Sequence, residues 1–89
     1  VTRWELRLAA GAKRSLDALP DKAAAAVVEF VLGPLCDAPQ RVGKPLLREL
    51  AGYWVARRGP YRIVYRLEEA AAVVNVVRID HRSRVYRRR

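Results

Sequence analysis

The sequence predicts an α+β domain: a small, mainly antiparallel β-sheet in the order β-α-α-β-β-β, with two helices packed on one face. Three observations carry this expectation. Apolar residues recur at a helical period between Ala9 and Leu35, and at a period of two both before and after that stretch. A Gly59-Pro60 pair separates two short alternating runs with no other spacer, as in a β-hairpin. The chain has 89 residues, which supports one core, so residues 1–89 are expected to form a single domain.

Thr2 to Leu8 alternates, with Trp4, Leu6 and Leu8 on one side and Arg3, Glu5 and Arg7 on the other, the pattern of a half-buried strand. From Ala9 to Leu19 the period becomes helical: Ala12, Leu16 and Leu19 share a face, and Lys13, Arg14 and Asp17 turn outward. Pro20 ends this helix and Asp21 can cap the next, an alanine-rich run from Ala23 to Leu35 with Val27, Val28, Val31, Leu32 and Leu35 on a broad apolar face. Regular helix should stop near Gly33-Pro34, because proline disfavours the helical conformation of the residue before it.

Cys36 to Pro45, punctuated by Pro39, Gly43 and Pro45, reads as an exposed connector, and Leu46 to Leu50 as a helical turn or an apolar latch beneath it. Strands follow at 53–58 and 61–67. In the second, Tyr61, Ile63, Tyr65 and Leu67 share one face and Arg62, Val64 and Arg66 the other, which the helices should leave open. Glu68-Glu69 turns the chain into Ala71 to Ile79, an apolar and β-branched run expected to be a central strand, followed by a basic tail from Asp80 to Arg89.

Eighteen Lys and Arg stand against nine Asp and Glu, a net charge of +9. Residues 54–89 hold ten of the bases and only three of the acids. That balance favours a polyanionic partner, approached through the C-terminal half. Cys36 is the only cysteine, so no intramolecular disulfide or paired-cysteine metal site can form, and a reducing cytoplasm is the expected compartment. No run is long and apolar enough for a membrane span or a signal peptide, and no membrane partner is expected. Nothing in the sequence resembles a nucleotide-binding glycine loop, a metal-ligand cluster or a serine-type triad, so no cofactor and no metal are expected.

The residue types fit phosphodiester chemistry on RNA. Such cleavage needs a base for the 2′-hydroxyl, cations for the charge that develops on phosphorus, and an acid for the leaving 5′-oxygen. Arg62 and Arg82 are the candidates to hold the phosphate, since guanidinium suits bidentate contact. His81, the only histidine, titrates near neutrality and is the candidate for proton transfer, against a plainer reading as a solvated surface residue. Tyr86 can stack on a base or take part in proton transfer, or simply pack at the sheet edge. Lys44, Arg48, Arg57, Arg58, Arg66 and Arg78 are candidates to track the RNA backbone, though any of them can be an ordinary solvated charge. Arg84 and Arg87 belong to a tail with five arginines in eight residues, which calls for a counter-charge. Trp4, Tyr61 and Tyr65 are placed in the core.

Taken together, the N-terminal strand, the Leu16-x-x-Leu19-Pro20 joint of the helix pair, Gly43-Lys44-Pro45-Leu46, Arg57-Arg58-Gly59-x-Tyr61-Arg62-x-x-Tyr65 and His81-Arg82-x-x-x-Tyr86-Arg87 resemble toxins of the RelE/ParE superfamily, and its RelE-like side in particular. The resemblance covers nearly the whole chain. It implies the RelE-like fold and a ribosome-dependent, metal-independent endoribonuclease that enters the A site and cleaves messenger RNA to a 2′,3′-cyclic phosphate. It also implies a cognate RelB-like antitoxin that binds the toxin in a heterocomplex and covers its active surface. By position, Arg62 corresponds to the strand arginine of the family, Arg82 to a basic residue of the last strand, and Tyr86 to the C-terminal tyrosine. Some members carry lysines where Tyr53 and Val55 stand here, which leaves His81 as the candidate for proton transfer. The alternatives are a ParE-like toxin acting on DNA gyrase and a basic binding module without catalysis.

Overall fold

The computed structural model describes residues 3–81. Strand β1 (Glu5–Leu8) leads into helices α1 (Ala10–Asp17) and α2 (Asp21–Leu32). Two single-turn helices, α3 (Pro34–Asp37) and α4 (Pro39–Val42), precede β2 (Gly43–Pro45), and a 3-10 turn at Arg48–Leu50 leads to β3 (Tyr53–Arg58). Strand β4 (Tyr61–Glu68), a second 3-10 turn (Glu69–Ala71) and β5 (Val73–His81) complete the described fold. The five strands form one sheet in the order β1-β5-β4-β3-β2, parallel between β1 and β5 and antiparallel elsewhere.

The α+β class and the helix pair on one face agree with the sequence-based expectation. Ala12 from α1, Val27 and Val31 from α2, and Leu35 from α3 meet Ala56, Ile63, Tyr65, Val74, Val76 and Ile79 from the sheet, and all ten are at most 4% exposed. Burial of each large member contributes about 1.5–3 kcal/mol. Trp4, Leu6 and Leu8 pack at the margin of this core, and the alternation that forms β1 puts them there. Gly33 ends α2 as the Gly-Pro pair predicts.

The sheet has one strand more than expected. The presumed connector from Cys36 to Pro45 is exposed at Arg41, Lys44 and Pro45, but it buries Cys36 and Pro39 and ends as an edge strand. Gly43, Lys44 and Pro45 pair with Ala56, Val55 and Trp54. Proline is admissible there because an outermost strand can leave one ladder donor unused. Tyr65 pins this segment from below: its ring is fully buried, and its hydroxyl donates to the Pro39 carbonyl at 2.7 Å. A Cβ built on Gly43 would lie 1.9 Å from that hydroxyl, so the close approach itself requires glycine. Burial pushes the Tyr65 phenol up to about 12, which keeps it protonated as a donor. Burial also raises the Cys36 thiol, whose Sγ lies 3.1 Å from the Val31 carbonyl, consistent with a core filler.

Gly59 takes φ +60° in the two-residue loop between Arg58 and Tyr61. With the fixed negative φ of Pro60, this gives the sign pattern of a type II′ hairpin turn. In the β4–β5 ladder Val64 faces Arg78 while Tyr65 faces Val76, so Val77 is the extra residue of a β-bulge. Helix α1 crosses close to it: Ala9 N–H donates to the Val76 carbonyl at 2.9 Å, and a Cβ on Gly11 would lie 3.0 Å from the Val77 carbonyl. Below the bulge Val74 and Val76 point into the core. Above it Ile79 does, while Arg78 and Asp80 turn to the opposite face. Among the described residues no helix is long and apolar enough to cross a membrane.

Candidate nucleic-acid interface

The sheet face without helices is ordered in rows by the ladder register. One row runs Arg57, Arg62, Asp80; the next Lys44, Val55, Val64, Arg78; the next Tyr53, Arg66, Asn75. Alternation along β3 and β4 puts the charged members here, because the intervening residues Ala56, Ile63 and Tyr65 are held by the core.

Arg62, Arg57 and Lys44 converge on a cleft of about 430 Å³ completed by Val42, Gly43, Val55 and Ala56. None of the residues lining it is acidic. Arg62 is half-buried, whereas Arg57 and Lys44 are exposed at the rim. A phosphate entering this cleft meets one guanidinium at the base and two further cations at the mouth. Such an arrangement suits charge-assisted contacts and counterion release.

Among the described residues, the carboxylate opposite Arg62 in the ladder is that of Asp80, a residue that sequence reasoning passed over. Asp80 accepts from Arg78 Nε at 2.5 Å and is mostly buried, with its side chain 16% exposed. Arg66 stands over the Tyr53 ring, 5.1 Å from its centroid, a cation–π contact also unforeseen.

The candidate residues divide among several places. Lys44, Arg57, Arg62, Arg66 and Arg78 share the open face. Arg58 pairs with Tyr61, and His81 also pairs with Tyr61 from the other side, so these residues belong to the helix-bearing face at the end of the sheet. The His81 ring meets Tyr61 edge to face at 5.3 Å between centroids. His81 and Arg62 are therefore not brought together on one face of the ladder, although the sequence reading grouped them. Arg48 sits exposed in the 3-10 turn at φ +60°. Arg82, Arg84, Tyr86 and Arg87 lie outside the described residues. Among the described residues no group of His, Cys, Asp and Glu is arranged to hold a metal ion.

Residues 6–86 match the family model described as the ParE toxin of a type II toxin-antitoxin system. The chain belongs to the RelE/ParE family of toxins. Toxin RelG of Mycobacterium tuberculosis is 49% identical over 96% of this chain and 98% of its own length. Toxin RelE of the same organism is 46% identical over 94% and 87%. Among solved structures, the RelBE2 toxin-antitoxin complex of M. tuberculosis superposes with a TM-score of 0.88 at 48% identity, covering 91% of this toxin and all of that chain. The RelE–RelB complex of Pyrococcus horikoshii shares the fold, with a TM-score of 0.72 at 19% identity over 93% and 99% of the two chains. These relatives make the chain a type II toxin, built on the five-stranded mixed sheet and helix pair described above.

Proposed function

We propose that this toxin is a ribosome-dependent endoribonuclease that cleaves messenger RNA in the A site and so arrests translation. The observation that carries the reading is the convergence of Lys44, Arg57 and Arg62 on one helix-free cleft. Two relatives named RelE and RelG, at 46% and 49% identity over nearly the whole chain, support it. In the reaction the 2′-hydroxyl loses its proton to a base and O2′ attacks the adjacent phosphorus. The bond to O5′ then breaks, and the leaving oxygen takes a proton, which leaves a 2′,3′-cyclic phosphate and a free 5′-hydroxyl. Arg62, flanked by Lys44 and Arg57, stabilises the phosphorane, where charge peaks.

By the family resemblance, Arg82 adds a second guanidinium and Tyr86 stacks on a base or moves a proton. His81 serves proton transfer only where the message passes round the end of the sheet, because its ladder position faces away from Arg62. Arg66 and Arg78 guide the strand across the face. A RelB-like antitoxin is the proposed partner: the solved relatives from M. tuberculosis and P. horikoshii are toxin-antitoxin complexes, and an acidic segment that folds on binding suits a basic sheet.

The matched family model bears the name ParE, and this favours gyrase inhibition as the second reading. One experiment separates the two. Purified toxin is added to a reconstituted translation system with a message stalled at a defined codon, 5′ ends are mapped by primer extension, and gyrase supercoiling is assayed in parallel. New ends within the A-site codon that require ribosomes, with supercoiling unaffected, are the expected result. Intact message with blocked supercoiling would overturn the ribonuclease reading.

A further inference from the structure

A second cavity on the open face points to how the substrate is read. Leu46, Leu50, Tyr53, Val64, Val77 and Arg78 enclose about 280 Å³. Its walls are aliphatic on four sides, and its two polar members are a phenol and a guanidinium. Asp80 holds that guanidinium at Nε. Arg66 stands over the Tyr53 ring at the margin. Leu50, which lines the pocket, is 54% exposed, and Leu47 near it in sequence is exposed as well, so apolar side chains stand at the surface here.

The two cavities are neighbours across the β3–β4 ladder. Val55 lines the cationic cleft, its ladder partner Val64 lines the apolar pocket, and Arg62 lies two residues along β4 from Val64. Two residues of strand span about 7 Å, the scale of one nucleotide. A ligand that fills both cavities carries negative charge in one part and a flat apolar ring in the next. A nucleotide has that shape, with a face for Tyr53 and Arg78 to stack on and an edge for their polar atoms.

We infer that the pocket formed by Leu46, Leu50, Tyr53, Val64, Val77 and Arg78 is a nucleobase subsite that receives a base next to the phosphate held by Arg62. This rests on the RNA reading above and assigns base selection to the toxin's own surface. The bulge at Val77 supplies one wall and also turns Arg78 outward, so the subsite depends on it.

The test uses toxin with methyl-labelled leucine and valine, titrated by NMR with a 2′-O-methyl dinucleotide, which cannot be cleaved, and with the same compound abasic on one side of the phosphate. The expected result is that the methyl resonances of Leu46, Leu50, Val64 and Val77 move with the full dinucleotide. The abasic compound should leave them in place and bind about tenfold more weakly, within the range measured for one stacked base. Leu50→Ser, at an exposed rim position, should weaken the full compound by a similar factor and leave the abasic one unchanged. Equal binding of both compounds overturns the subsite while leaving the phosphate cleft standing. Binding of neither overturns the subsite, while the RNA reading stands or falls on the ribosomal cleavage assay above. Methyl resonances that respond only to an acidic apolar peptide would make the pocket a protein-docking surface and overturn the subsite as well.

Discussion

The two faces of the sheet are made by alternate residues of the same strands, yet they obey different rules. On the helix-bearing face Ile63, Tyr65, Val74 and Val76 are fully buried, and the one polar atom among them, the Tyr65 hydroxyl, has a partner in the Pro39 carbonyl. On the open face Arg57, Arg62, Arg66 and Arg78 lie within a few ladder rungs of one another, with Asp80 ion-paired to Arg78 and Glu68 two residues along β4 from Arg66. Packing explains the first face. Concentrated like charge works against the second, and the proposed RNA ligand would relieve it. The core and the proposed site are thus separated by the period of two.

Substitutions on the two faces should therefore behave differently. The largest expected change in stability is from Ile63→Ala, which empties a fully buried position and should cost about 2–5 kcal/mol in chemical denaturation. Next is the alkaline limb set by Tyr65. Its folded-state value, raised to about 12, lies above the ordinary value near 10. The neutral phenol's contribution is thus complete below pH 10 and is lost as pH rises towards 12. About 2–3 kcal/mol should disappear over that window, and Tyr65→Phe should remove that part of the pH dependence while costing about 1–2 kcal/mol at neutrality.

On the open face, Lys44→Ala and Arg57→Ala should leave the denaturation midpoint nearly unchanged. Each should weaken binding to a single-stranded oligonucleotide and lower the slope of log affinity against log salt by about 0.7. Equal destabilisation by these substitutions would break the separation of the faces. The smallest effect concerns neither face: Ala72 sits at φ +54° and ψ +50°, and Ala72→Gly should raise stability by about 1 kcal/mol.

Much of this organisation was legible in the sequence. The alternation of Tyr61 to Leu67 gave both faces of β4, and Gly59-Pro60 placed the hairpin turn. Strand β2 was hidden because Gly43-Lys44-Pro45 carries only loop signals. It is a strand through its pairing with β3 and through Tyr65, twenty-two residues away, whose hydroxyl fixes the approach. His81 shows the other limit. Unbroken alternation from Val74 and Val76 would have sent Arg78 and Asp80 into the core, and Ile79 and His81 outward. The bulge at Val77 inverts this, burying Ile79 and turning Asp80 towards Arg62 in place of His81. The bulge leaves no local mark in the alternation, so the placement of Asp80 and of the pocket beside Arg78 follows only from the ladder register.

If the open face carries the activity while the other face carries the fold, Arg62 is the residue at which the two separate. Single-turnover cleavage of a ribosome-bound message should be measured for wild type and Arg62→Ala, with a thermal melt of each protein. A rate loss of about 100-fold or more is expected, with stability changed by about 1 kcal/mol or less. Cleavage at the wild-type rate, or loss of activity only in step with unfolding, would mean that the two faces do not divide activity from fold.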